Sequence, residues 1–208
     1  MVKNYIVEFI GTFFFILVIG LCVIDPGAGK MAPLAIGTIL MVVVYAGGHI
    51  SGGHYNPAVT LGVWIRGKCA GKDVPFYMLA QVLGGAAASL LVLNLKSGST
   101  IVAATPNLIN VFVVELLFTF LLVYVVLNVA TSSKTAGNSF YGLAIGFTVM
   151  TSAYAIGGIS GCAINPAISV GLTLMGLSKL ANLWVFIVAQ LAGGAFAAAI
   201  YKAVGAGE

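Results

Sequence analysis

Residues 47–62 read GGHISGGHYNPAVTLG, a polar, glycine-rich interruption in a chain of 208 residues that is 61% hydrophobic and only 7% charged. So apolar a composition, with a mean hydropathy of +1.12, excludes a soluble globular domain and marks an integral membrane protein. In such a chain two histidines, an asparagine and a proline need a physical reason. Backbone that leaves the helical state inside a bilayer carries polar groups that lipid cannot satisfy. It is tolerated only where it is buried in protein or lines a water-filled cavity.

Outward from this stretch, apolar segments of spanning length lie at 5–24, 34–50, 75–95, 109–130, 140–156 and 182–203, which predicts six crossings. The first is long enough to span and has no clear small-residue cleavage site, so it reads as a helix and not as a signal peptide. Two further apolar segments, 57–66 and 166–175, are roughly 15 Å long as helices, about half the hydrocarbon thickness. Neither crosses alone. With the N-terminus inside, the inner loops and tails hold Lys3, Arg66, Lys68, Lys72, Lys134 and Lys202, against Lys30, Lys96 and Lys179 outside, an asymmetry that places both termini in the cytoplasm.

A shift of 109 residues superposes the two halves. LAIG at 34–37 falls on LAIG at 143–146, Tyr45 on Tyr154, Asn56-Pro57-Ala58 on Asn165-Pro166-Ala167, and AQVLGGAAAS at 80–89 on AQLAGGAFAA at 189–198. With an offset of 107, VEFIGTFFF at 7–15 matches VELLFTFLL at 114–122. The chain thus reads as one transmembrane domain, 1–208, built from two repeats of about 1–104 and 105–208. Each repeat has three crossings and one half-helix, so the second enters the membrane from the opposite side, as an inverted repeat.

Each half-helix is expected to start at its Asn-Pro-Ala triplet, with Asn56 or Asn165 as N-cap and the proline at the first helical position. Inversion brings these two N-termini face to face near the midplane, where their positive dipole ends disfavour cations. The asparagine amides are expected to donate hydrogen bonds into the lumen. The extended segments before them, with Gly52, Gly53, His54 and Tyr55 in one half and Ser160, Gly161 and Ala163 in the other, are expected to line the path with backbone carbonyls.

HISGGHYNPAVTLG and ISGCAINPAISVG resemble the two signature loops of the aquaporin and aquaglyceroporin family, the major intrinsic proteins. The resemblance covers essentially the whole chain, and two such triplets in matched context make it specific. It implies an all-α membrane protein, a right-handed bundle of six transmembrane helices and two re-entrant half-helices. It also implies a pore through every subunit, a homotetramer in the plasma membrane, and passive flow of water or small uncharged solutes. Family members usually carry an arginine directly after the second triplet, as part of a narrow outer filter. Here Ile168 stands there, and the only arginine in the chain is Arg66. The resemblance places the other filter positions at Ile36, Cys162 and, on the fifth spanning helix, Ala153, with Ser152 and Tyr154 as neighbouring alternatives. Such an aliphatic filter is expected to be less selective for water alone, leaving ammonia, urea, glycerol, hydrogen peroxide and metalloid acids as candidate solutes. Glycerol facilitators follow the filter arginine with an aspartate, whereas this chain has Ser169.

Glu8 and Glu115 are carboxylates inside predicted spans, and their symmetric placement points to bracing of the re-entrant backbones instead of proton relay. His49 is assigned a bracing role as well, and Gln81 and Gln190 an interhelical one. His49 and His54 lack further ligands for a metal, and Cys22, Cys69 and Cys162 are too scattered for a disulfide framework or a thiolate site. No cofactor, enzymatic triad or nucleic-acid partner is indicated. The partners expected are membrane lipid, water and small neutral solutes. A secondary transporter also uses inverted repeats and broken helices; it would need ionisable groups to couple a driving ion, and Glu8 and Glu115 are the two within the spans.

Overall fold

The computed structural model describes residues 2–205, which fold into eight α-helices: α1 Val2–Val23, α2 Ala32–Ser51, α3 Pro57–Ile65, α4 Val74–Leu95, α5 Leu108–Ala130, α6 Tyr141–Ser160, α7 Pro166–Leu174 and α8 Leu183–Val204. Six of them, all but α3 and α7, are long and apolar enough to cross a membrane. The clearest difference from the sequence reading is α6, expected to end at 156 but running to Ser160, where Gly161 takes over in the left-handed region at φ +86°. α2 ends the same way, at Gly52 with φ +95°. Glycine adopts this conformation without the Cβ penalty, so each spanning helix stops where its chain must turn back. Pro33 and Pro75 sit in the first turns of α2 and α4, where a missing N–H costs nothing.

The two halves pack alike. α1 lies against α4 as α5 lies against α8, α2 meets α6 between them, α3 packs on α8, and α7 packs on α4. Small residues permit the closest approaches. A Cβ built on Gly37 would lie 2.6 Å from the Gly146 carbonyl oxygen, and one on Gly146 2.5 Å from that of Gly37. In lipid, where chain–chain and chain–lipid contacts are equally apolar, such close backbone packing drives helix association. Large side chains such as Phe14, Leu90, Leu117 and Phe196 are exposed on the outer faces, as a lipid-facing surface requires.

The loops divide between two sides. On the side of the termini lie 66–73 and 131–140, with the Tyr5 hydroxyl donating to Asp73 Oδ1 at 2.8 Å. On the far side lie 24–31, 96–107 and 175–182, where Ala104 N donates to the Leu177 carbonyl at 3.0 Å and Lys96 Nζ to the Pro26 carbonyl.

Candidate functional site

The two half-helices meet inside the bundle. Asn56 and Asn165 have nearly identical extended backbones, at φ −159° and −161°. Their side-chain oxygens accept from Ala58 N at 2.8 Å and Ala167 N at 2.9 Å, which caps the first orphan donors of α3 and α7. Each amide nitrogen then reaches across to the opposite loop: Asn56 Nδ2 donates to the Ile164 carbonyl at 3.0 Å, and Asn165 Nδ2 to the Tyr55 carbonyl at 2.9 Å. One donor of each amide expected to face the lumen is therefore spent within the protein. An amide nitrogen carries two hydrogens; one locks the loops together, and neither nitrogen makes a second hydrogen bond among the described residues.

Behind each loop a buried carboxylate gathers the backbone. Glu8 Oε1 accepts from Ser51 Oγ at 2.7 Å and His54 N at 2.9 Å, and its Oε2 accepts from Tyr55 N at 2.7 Å and Gln81 Nε2 at 2.8 Å. Glu115 repeats the pattern with Ser160 Oγ at 2.6 Å, Ala163 N at 3.0 Å, Ile164 N at 2.6 Å and Gln190 Nε2 at 2.8 Å. Four donors fill an acceptor-only group, which is how a carboxylate is accommodated away from water. The bonds hold the strained residues between them. Tyr55, Cys162 and Ile164 have φ of +49°, +51° and +40°, a region that a β-branched residue such as Ile164 enters only when its surroundings enforce it.

Ser51 and Ser160 also accept from Gly53 N and Cys162 N, each at 3.1 Å. Ser51 was not singled out from the sequence, and Ser160 was expected only to lend its backbone to the extended loop; it is instead the last residue of α6, with its side chain on Glu115, and the repeated ISG before each loop carried the signal for both serines. Sequence reading also gave Gln81 and Gln190 only an interhelical part, whereas they serve the loop carboxylates. His49 is a correction in the other direction. It is exposed on the last turn of α2, at the rim of a cavity on the terminal side, and takes no part in the hydrogen bonds around Glu8; Ser51, two residues on, points inward where His49 cannot. His54 is buried, with Nδ1 3.1 Å from Thr60 Oγ1. The Thr60 hydroxyl donates to the Asn56 carbonyl and accepts from Gln81 Nε2. His54 Nδ1 is therefore assigned as a donor, leaving Nε2 as an acceptor.

Three cavities follow one another along the bundle. On the far side, about 330 Å³ is lined mainly by aliphatic groups, and Ile36, Ala153, Cys162 and Ile168 all face it. Of the neighbouring alternatives on α6, Ser152 is buried with its hydroxyl on the Thr148 carbonyl at 2.7 Å, and Tyr154 is 56% exposed on the outside, its hydroxyl 3.4 Å from the Lys30 carbonyl. Ala153 is the residue that faces inward. At the centre, about 10 Å³ lies among Asn56, Asn165, Phe15, Leu122, Leu40 and Val149, room for about one water molecule. On the terminal side the path widens to about 570 Å³, bordered by Gly52, Gly53, His49, Arg66 and Lys68. Phe15 lines the centre, and its match to Leu122 in the repeat was the available signal. Tyr45, matched to Tyr154 in the repeat, bridges α2 and the start of α6 through the Ser139 carbonyl and Leu143 N.

A family model described as "Major intrinsic protein" matches residues 1–201. The chain belongs to the major intrinsic protein family. It is 35% identical over 206 residues to "Aquaporin NIP1-4" of Oryza sativa subsp. japonica, covering 95% of this chain and 75% of that one. It is 36% identical over 213 residues to "Glycerol uptake facilitator protein-like 6" of Lactiplantibacillus plantarum, covering 98% of both. The X-ray structure of the aquaglyceroporin from Plasmodium falciparum superposes with a TM-score of 0.82 over 99% of this chain and 97% of that one, at 24% identity, a likeness of fold. This member of the family is a passive channel for water and small solutes, not an enzyme.

Proposed function

We propose that solutes pass along the line of three cavities, through the junction of Asn56-Pro57-Ala58 and Asn165-Pro166-Ala167, with Ile36, Ala153, Cys162 and Ile168 as the far-side filter. The observation that carries this reading is the continuity of the path: Ile168 borders both the far-side and central cavities, and Gly53 both the central and terminal-side ones. Backbone carbonyls of Gly52, Gly53 and His54, and of Gly161, Cys162 and Ala163, offer acceptors along it, and the free amide hydrogens of Asn56 and Asn165 offer donors at its middle. Two helix N-termini at that point repel cations. Glu8, Glu115 and their serine and glutamine partners hold the loops in place and do not carry protons.

In this reading each subunit of a homotetramer carries its own pore, the termini face the cytoplasm of a cell under the plasma membrane, and the far side faces out, as the excess of lysine and arginine on the terminal side supports. The test is Asn56→Asp and Asn165→Asp. A carboxylate keeps the N-cap acceptor but loses the donor to the opposite carbonyl and adds negative charge where the dipole ends meet. Each variant, reconstituted in vesicles, is expected to lose most of its water flux and to leak cations. Variants that conduct water like the parent and stay cation-tight would remove the asparagine junction from the pathway.

A further inference from the structure

The far-side filter has a counterpart that the repeat generates. Shifted by 109 residues, Ile36 falls on Ile145, Val44 on Ala153, Gly53 on Cys162 and Val59 on Ile168. The absence of an arginine after the second triplet is what makes this correspondence chemical as well as geometric, since Ile168 and Val59 are now both aliphatic. Gly53, Val59 and Ile145 border the central cavity on its terminal side, and Val44 joins Gly53 and Ile145 around the cavity beyond. Val44, Val59 and Ile145 are buried, at 2%, 3% and 5% exposure. Two apolar rings therefore flank the asparagines, and the space between them is about 10 Å³.

Resting on the pathway proposed above, we infer that Val44, Gly53, Val59 and Ile145 form a second filter in series with the first, and that the pair restricts the channel to neutral hydrides of one heavy atom, water and ammonia, excluding urea and glycerol. A molecule in an apolar ring trades its hydration for whatever partners the wall offers. Here the side chains of the two rings offer no N–H or O–H donor; the donors between the rings are the second hydrogens of Asn56 and Asn165, because the first are held by the Ile164 and Tyr55 carbonyls. On the terminal side of the asparagines the central cavity is bordered by His54, whose assigned tautomer presents an acceptor. A one-centre solute can turn between carbonyls and the two amides as it advances. Urea and glycerol have several polar atoms, which cannot all reach those few partners at once, and they exceed the central volume.

Barriers in series give the inference a distinctive signature, because enlarging one ring leaves the other limiting. Parent protein and the variants Ile168→Ala, Ile145→Ala and Ile145→Ala/Ile168→Ala are reconstituted in vesicles, with water followed by shrinkage, ammonia by lumenal alkalinisation, and urea and glycerol by reswelling. The parent is expected to pass water and ammonia, with urea and glycerol at the level of empty vesicles. Each single variant should raise urea flux by at most about twofold, since two matched barriers share the resistance. The double variant should raise it roughly tenfold or more, the scale that missing methylenes set in an apolar site. Urea flux through Ile168→Ala equal to that of the double variant would overturn the second filter, and a parent that passes urea or glycerol would overturn the substrate class. A parent that passes neither water nor ammonia would instead sink the pathway itself. Should the double alanine variant lose water flux through misfolding, Ile145→Val/Ile168→Val takes its place, with the same order of singles against double required.

Discussion

The two re-entrant loops, 52–56 and 161–165, share one polar skeleton and fill the space around it in opposite ways. In both, a glutamate and a serine tie down three backbone N–H groups, a glutamine donates to the glutamate, and an asparagine crosses to the other loop. The apolar surroundings are exchanged. The first loop carries Tyr55, whose ring occupies room left by Gly11 and Gly47: a Cβ on Gly11 would lie 2.1 Å from Tyr55 Cε1, and one on Gly47 2.0 Å from its hydroxyl oxygen. At the equivalent places the second half has Ile164, Phe118 and Ile156, a smaller residue on the loop and larger ones on the helices. Unpaired polar groups in a membrane interior are costly, so the skeleton admits little change. Apolar volume can move from one side of a contact to the other as long as the sum is kept.

That contrast ranks the substitutions. Glu8→Ala and Glu115→Ala should be the most damaging and about equally so, because each strands two backbone donors that cannot turn away, at about 1–3 kcal/mol apiece, besides the serine and glutamine. Neither variant is expected to elute as a folded species in detergent size-exclusion chromatography. A marked difference between the two would show that the loops are not braced alike.

Gly11→Ala should cost less, about 1–3 kcal/mol of overpacking against the Tyr55 ring, read as a lowered unfolding temperature. The same change at the second-half equivalent has no meaning, since Phe118 already fills it. Tyr55→Leu should restore much of the loss in Gly11→Ala, although it also removes the hydroxyl that donates to the Val43 carbonyl at 3.0 Å. A Gly11→Ala variant as stable as the parent, or one that Tyr55→Leu makes worse, would refute the exchange of volume.

What the sequence disclosed follows the same division. Asn-Pro-Ala at the starts of α3 and α7 was legible because capping chemistry is local, and the six spans because bilayer thickness sets a length. Glu8 and Glu115 stood out as carboxylates in apolar helices. The bracing hydroxyls of Ser51 and Ser160 did not, since a serine near a helix end has many ordinary uses and its partner lies more than forty residues away in sequence. His49 misled for the converse reason: it is polar and near the loop, yet helical geometry turns it outward. The choice of Ala153 over Ser152 and Tyr154 depended on the rotation of α6, which a one-residue shift changes by about 100°. Phe15 at the centre of the path was hidden within a run of three phenylalanines that point in different directions.

The osmotic water permeability of reconstituted vesicles, measured by stopped-flow light scattering with and without a mercurial, tests the channel and its path together. Cys162 faces the far-side cavity, whereas Cys22 does not border any of the three cavities in line, so a metal bound at the Cys162 thiolate would occlude the lumen. The account predicts water flux above that of empty vesicles, blocked by the mercurial in the parent and unaffected by it in Cys162→Ser. Flux no greater than that of empty vesicles, with insertion verified, or a block that persists in full in Cys162→Ser, would contradict it.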